Sequence, residues 1–472
     1  MSFRSCLVLC GLLAVAAGAA HAAPPTGQAT AEVFPYPVHQ TRLDNGLEVI
    51  VIPYDSPGTV AYYTIVRTGA RDEVEPGHSG FAHFFEHMMF RGTEKYPQAK
   101  YTDILKEMGA DSNASTADDV TKYHIVGPAA ELETMIDMES DRFKNLKYTE
   151  EGFRTESLAV LGEYNKSVAN PFQVLYEKVR NLAFERHTYK HTAMGFISDI
   201  KAMPGYYRYS IDFWNRFYRP ENCIVVVIGD ADPQKVFALA KRYYGDWKPG
   251  YKAPSVVAEP PQTAEKKDHV DWPNPVHPQF FAAYHAPAFA TTSVDSAAAD
   301  LIGQLLFSES SPLAQELLVD KQWVDFLNGG VQNSRDPYLF TVVGQVKSEE
   351  LLPKVLATID RAIALLAAQP VDAARLERTK SHQRYSFALG LTTPGGIAEQ
   401  VGDYLALTGD VRSINRYFDA YRQVTPADIQ RVARQIFRRE NHTIVTLSHP
   451  ADPAVKGEAP GSKGSRGGDS HE

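Results

Sequence analysis

The sequence predicts a mixed chain of strands and helices in two successive parts, the second repeating the strand–helix–strand order of the first. Three observations carry this. A hydrophobic share of 44% over 472 residues is enough for two ordinary domains or more. The composition turns to proline, lysine and acid from Lys248 to Pro275, the signature of a linker. On either side of that stretch, apolar runs of strand length alternate with stretches of helical period.

Taken in order, the first 22 residues read as a signal peptide. Arg4 supplies the positive start, Cys6–Ala20 an apolar run broken only by glycine, and Ala20-His21-Ala22 a small-residue cleavage pattern. The run falls short of the roughly 20 apolar residues a membrane span needs, so no span is expected after removal of the signal. Lipidation at Cys10 is disfavoured by the bulky Leu9 before it. The mature chain of 450 residues (472 − 22) is then exported, and the simple signal points to a bacterial periplasm. Of three cysteines only Cys223 remains, which excludes an internal disulfide and any multi-cysteine zinc site. The net charge of −9, with acids and bases intermixed, argues against a nucleic-acid partner.

Within residues 31–248, Asp44-Asn45-Gly46 marks a turn, and Leu47–Ile52 and Thr59–Val66 read as paired strands. Lys100–Met108 reads as a helix, Ser115–Gly127 as a strand pair, and Ala129–Leu146 and Glu150–Ala169 as helices. An apolar strand over 221–230 ends in Gly229-Asp230, and Asp232-Pro233 opens a helix through Tyr244. After the linker at 249–275, residues 276–450 read as a strand at Gln279–Tyr284 and helices at Ser296–Leu306 and Pro312–Lys321. A strand at Tyr338–Val346 and helices at Glu349–Ala368, Ala373–Ala388, Ile397–Leu407 and Pro426–Arg438 follow, and His442–Ser448 is the last strand. Residues 451–472 are rich in glycine, serine and charge and read as a disordered tail.

The stretch with the most chemistry is Gly80–Phe90, GFAHFFEHMMF. On a helix, His83 and His87 project from one face a turn apart, as two corners of a tetrahedral zinc site require, and Glu86 shares that face. Phe81, Phe84, Phe85 and Met88 take the opposite face. Ser79 is the expected N-cap and Gly92 the expected stop. Histidines can hold a metal as neutral donors, and a carboxylate beside them can take a proton from water. A core helix with two half-exposed histidines and an incidental glutamate fits the pentapeptide equally well. Along Glu150–Ala169, Glu156, Ala159, Val160 and Glu163 form one stripe. By itself that stripe reads more simply as two solvated carboxylates than as metal-site acids. The other histidines share no helical face with a carboxylate and read as core or surface residues.

Taken together, these runs resemble the M16, or pitrilysin-type, zinc peptidases, the family that includes the mitochondrial processing peptidases. Gly80–Thr93 looks like the family signature around the inverted motif H-x-x-E-H. Gly109–Tyr123 is similar to its edge strand, and Tyr218–Asp230 to the run closing its first half. Glu163, 76 positions after His87 (163 − 87), stands where the family has its third ligand, and Glu156 where it has an accompanying acid. The resemblance implies an α+β fold of two similar domains, each a sheet with helices on one face. It implies zinc held by His83, His87 and Glu163, with Glu86 as the catalytic base and Glu156 as a supporting catalytic acid that orients a ligand or the water. Asn113 and Ala114 would offer backbone groups to an extended peptide substrate.

One departure stands out. Where the family carries an arginine and, seven residues on, a substrate-gripping tyrosine, this chain has Leu318 and Asp325, neither of which can donate to a developing oxyanion. The resemblance therefore implies a heterodimer in which a second, similar chain without H-x-x-E-H supplies the pair. The expected function is an exported zinc endopeptidase acting on peptides or unfolded segments. The alternatives are a non-catalytic assembly or binding subunit on the same fold, and a zinc hydrolase of non-peptide substrates.

Overall fold

A computed structural model describes residues 32–450. The expected signal at 1–22 and tail at 451–472 lie outside the described residues. The first half contains β1 (His39–Arg42), β2 (Glu48–Pro53), β3 (Thr59–Val66), α1 (Phe81–Met88), α2 (Gln98–Met108), β4 (Asp111–Thr116) and β5 (Thr121–Pro128). It continues with α3 (Leu132–Asn145), α4 (Glu150–Ser167), α5 (Pro171–Ala183), α6 (Ile197–Ala202), α7 (Tyr207–Phe217), β6 (Cys223–Gly229) and α8 (Pro233–Tyr244). The second half has β7 (Lys266–Asp271), β8 (Gln279–Ala286), α9 (Val294–Phe307), α10 (Pro312–Ala314), β9 (Val324–Val331) and β10 (Tyr338–Val346). Five helices follow, α11 (Leu352–Ala368), α12 (Ala373–Leu389), α13 (Pro394–Thr408), α14 (Ser413–Gln423) and α15 (Pro426–Ile436), before β11 (His442–Ser448) closes the chain.

The two sheets repeat one another. Their orders are β1-β2-β6-β3-β5-β4 and β7-β11-β8-β10-β9, so five strands of the first correspond one for one to the second. The directions match too. The pairs β2–β6 and β7–β11 are parallel, whereas β3–β6 and β8–β11 are antiparallel. The α+β architecture of two sheet-plus-helix domains is thus realised.

A strand between parallel and antiparallel neighbours with both faces covered must be apolar throughout. Cys223–Gly229, CIVVVIG, is buried at every position and occupies that place as β6. One face of the first sheet packs Val49, Val51, Val60 and Tyr62 against α1, α3, α7 and α8. The other face, through Ile50, Ile52, Ala61 and Ile65, receives Ile397, Ala398 and Val401 of α13 from the second half. Reciprocally, Leu175, Val179 and Ala183 of α5 pack on Phe281, Ala283, Val445 and Leu447 of the second sheet. Each half lends a helix to the other, so the expectation of helices on one face describes only a sheet's own helices.

Charged groups close the seam between the halves. Arg71 bonds Asp336 at 2.6 Å and the Arg335 N–H donates to Asp119 at 3.1 Å across it, and within the first half Arg180 on α5 bonds the neighbouring Asp118 at 2.6 Å. Among the described residues, no helix is long and apolar enough to cross a membrane.

The structure corrects several readings. Leu47–Ile52 and Thr59–Val66 do not pair with each other, because β6 lies between β2 and β3. The linker at 249–275 contains β7, whose polar residues suit a sheet-edge strand bound on one side only. The helix expected over Pro312–Lys321 is α10 followed by a π-helical stretch, Gln315–Asp320, with Gln322 beyond it at φ 52°. β9 escaped notice because Asn328-Gly329-Gly330 suppresses strand propensity. Gly329 is needed there, since a Cβ on it would lie 2.5 Å from the Phe307 ring of α9, and α9 approaches so closely that a Cβ on its Gly303 would lie 2.9 Å from Gly330 Cα.

Candidate metal centre

The motif helix is built as its pattern dictates. Phe81, Phe84, Phe85 and Met88 are fully buried, and Phe85 stacks on Phe213 of α7 with ring centroids 5.3 Å apart. That packing turns His83, Glu86 and His87 toward α4 and β4. The expected cap is absent. Gly80, not Ser79, is the N-cap residue, and no side chain of the helix caps its first turn. Ser79 instead donates its hydroxyl to Asp199 at 2.6 Å and accepts from the Phe196 N–H at 2.8 Å.

α4 starts at a true cap, Thr149, which accepts from the Gly152 N–H. Its expected stripe divides. Glu156 and Val160 turn inward, whereas Ala159 and Glu163 stay exposed. Glu163 nevertheless reaches the histidines, with Oε2 3.2 Å from His87 Nε2 and 3.8 Å from His83 Nε2. One donor atom from each of the three residues lies within 4.8 Å of the other two. Zinc–ligand bonds of about 2.0–2.1 Å at tetrahedral angles place donor atoms roughly 3.3 Å apart, so this set fits a zinc ion with little adjustment. Two imidazoles and one carboxylate are also a donor set that leaves a fourth position open.

Glu156 is buried and holds two partners, His87 Nδ1 at 3.0 Å and the Arg91 guanidinium. Because the carboxylate only accepts, His87 donates from Nδ1 and keeps the Nε2 lone pair for a metal. Burial alone would raise the Glu156 pKa, but the bonds from His87 and Arg91 outweigh it and hold the carboxyl below its usual range. The Glu156 bond in turn raises His87. Burial, with His87 alongside, pushes His83 down, which keeps that ring neutral. Glu86 is raised by burial, against the Thr116 hydroxyl, which donates to its Oε2 at 2.6 Å. A carboxylate with one oxygen so engaged has the other free to exchange a proton.

β4, which carries Thr116, is the edge of its sheet. Asn113 and Ala114 lie on it, and the Ala114 N–H donates to Asn113 Oδ1 at 2.9 Å. Leu318 falls in the π-helical stretch, and Asp325 on β9 accepts from His277 at 2.7 Å and Gln345 at 3.2 Å. Sequence reasoning assigned no role to Arg91, Thr116 or Glu73. The first two stand inside the signature and edge-strand runs, where a donor for each carboxylate could have been sought. Glu73 gives no local signal.

Residues 49–195 match the family description "Insulinase (Peptidase family M16)" and residues 210–382 match "Peptidase M16 inactive domain". The chain belongs to peptidase family M16. The M16 relatives include the zinc protease PqqE of Helicobacter pylori, 29% identical over 87% of this chain and 93% of that one. The probable zinc protease PqqL of Escherichia coli is 30% identical over 42% of this chain and 22% of its own length. A protease structure from Helicobacter pylori aligns with a TM-score of 0.80 at 28% identity, covering 88% of this chain and 99% of that one. A putative M16-like peptidase from Alicyclobacillus acidocaldarius aligns at 0.78 and 19% identity, over 88% and 99%. The "inactive domain" description falls mostly on the second half, whereas the candidate metal centre lies wholly in the first.

Proposed function

We propose that this chain is the catalytic subunit of an exported zinc endopeptidase that cleaves peptides or unfolded polypeptide segments. The observation that carries the reading is the convergence of His83, His87 and Glu163 beside a glutamate that is free at one oxygen. His83, His87 and Glu163 would hold the zinc. When bound, zinc supplies Lewis acidity and makes water a competent nucleophile near neutral pH. Glu86 takes the attacking water's proton and returns it to the leaving amine, while Thr116 keeps its second oxygen occupied. Glu156 does not face the reacting atoms. It holds the His87 Nδ1 proton, and Arg91 balances its charge. The open edge of β4 pairs with an extended substrate, the Ala114 N–H exchanging its bond to the Asn113 side chain for one to a peptide carbonyl.

The reading extends to a heterodimer. Leu318 has no donor, and Asp325 is an acceptor already engaged by His277 and Gln345. A second M16-like chain without H-x-x-E-H is therefore expected to bring the arginine and tyrosine. Export rests on the pattern of residues 1–22, and cell fractionation tests it.

The deciding experiment is hydrolysis of quenched fluorescent peptides by the zinc-loaded mature chain beside its Glu86→Gln variant. Turnover lost in the variant supports the endopeptidase and shows that the chain works without the partner. Stoichiometric zinc with turnover only after a co-purified chain is added supports the heterodimer. Zinc without turnover in either case overturns the catalytic reading in favour of a non-catalytic subunit.

A further inference from the structure

The first turn of α1 poses a problem of hydrogen bonding. Gly80 at its N-cap has φ +93°, and a Cβ there would lie 2.6 Å from Met194 O, so no capping side chain fits. The free N–H groups of the first turn must find acceptors elsewhere. Two of them find Glu73, from the loop before the helix. Its Oε2 accepts from the Gly80 N–H and its Oε1 from the Ala82 N–H, both at 2.7 Å. Glu73 is 3% exposed, and its nearest cationic candidate, His191 Nδ1, lies 3.7 Å away and bonds the Thr192 carbonyl at 3.0 Å. Burial, with Asp72 and Asp199 nearby, raises the Glu73 pKa well above the usual carboxyl range against these two bonds, and the carboxyl group sits at the positive end of the helix dipole with the two backbone donors as its main partners.

We propose that Glu73 is a positioning residue of the metal site, holding the first turn of α1 so that His83 stands where a metal needs it. His83 is the third residue of an eight-residue helix and so belongs to that turn. Helices this short are marginal and fray from their ends. The aromatic back of α1 fixes the helix sideways against the core, Asp199 holds the Ser79 N–H just before it at 3.2 Å, and Glu73 holds the N–H groups of Gly80 and Ala82 at the helix start itself. His87, a turn further on, is held by Glu156, so the two histidines have separate supports. The carboxyl group, with its two oxygens, is matched to the task. A glutamine keeps one acceptor and turns an NH2 group toward the other N–H, and an aspartate is one methylene too short to span both.

The inference rests on the zinc reading, and the experiment separates the two. Zinc affinity is measured by chelator competition at 25 °C on the wild type, Glu73→Gln, His83→Ala and Asp232→Ala. Asp232 caps α8, away from the site, by accepting from the Lys235 N–H, and it controls for a general loss of stability. Glu73→Gln is expected to bind one equivalent of zinc about tenfold or more weakly, while Asp232→Ala stays within twofold of the wild type. Equal affinity in Glu73→Gln and the wild type overturns the role of Glu73 and leaves the zinc site standing. A wild type that binds no zinc, or His83→Ala that binds as the wild type does, overturns both. Should Glu73→Gln not fold, amide exchange in the metal-free wild type decides. Protected Gly80 and Ala82 amides support the cap, and exchange as fast as at an uncapped helix end refutes it.

Discussion

Replacing Arg180 with methionine should be among the most damaging single changes in the chain. Arg180 is 2% exposed and lies on α5, the helix that the first half lends to the second sheet. Its guanidinium donates to Tyr189 O at 2.8 Å, Tyr176 Oη at 2.8 Å, His191 O at 2.7 Å and Asp118 Oδ1 at 2.6 Å. It also lies 5.1 Å from the Tyr176 ring and 5.4 Å from the Tyr338 ring of the second half. Methionine keeps much of the volume and removes every donor. The two carbonyls and the 4% exposed Asp118 then stay buried, with Asp118 retaining only the 3.2 Å bond from Gln332. Breaking a buried ion pair on one side costs about 3–5 kcal/mol, and the orphaned carbonyls push toward the upper end. Guanidinium unfolding followed by tryptophan fluorescence and far-ultraviolet circular dichroism measures the loss. The double variant Arg180→Met/Asp118→Asn should recover about 1 kcal/mol or more, because a neutral amide needs no counter-charge. A single-variant loss below about 1 kcal/mol, or a double variant no better than the single, would refute the reasoning.

Other expectations follow from the site and its surroundings. Glu86→Gln should retain stoichiometric zinc and lose about 10²–10⁴-fold in peptide turnover, read by metal analysis and a fluorogenic assay on the same sample. Glu156→Ala frees the His87 ring and should weaken zinc binding about 10–100-fold in chelator competition, with Glu156→Gln intermediate because it keeps an acceptor for Nδ1. Burial pushes the His191 pKa down from 6.5 to about 4. The unfolded chain therefore takes up this proton first as pH falls. The native state loses nothing on this account above about pH 6.5 and roughly 3 kcal/mol by about pH 4. Urea titrations of the wild type and His191→Gln across that window should converge in stability toward acid; parallel curves would contradict the assignment.

The motif helix was legible because its information is local. Four apolar residues at helical spacing have one way to be buried, and that decides which way His83, Glu86 and His87 face. The start of α4 near Glu150, the Asp232-Pro233 opening of α8, and β6 as a strand without a polar residue were legible for the same reason. Glu163 was not. Periodicity placed it beside Glu156 on a stripe that read as solvated, and only the family resemblance singled it out before the fold set its carboxylate 3.2 Å from His87. Nothing near Glu73 marks it, since the two N–H groups it caps are seven and nine residues on.

The sequence by itself determined the alternation of strands and helices, the division into two halves and the face that α1 presents, because each follows from apolar spacing within a dozen residues. Tertiary structure decided the placement of β6 between β2 and β3, the exchange of α5 and α13, the meeting of Glu163 with the histidines and the capping of α1 by Glu73. These depend on contacts between distant segments, where a hydrogen bond or a packed face is specified by three-dimensional approach and leaves no period in the chain.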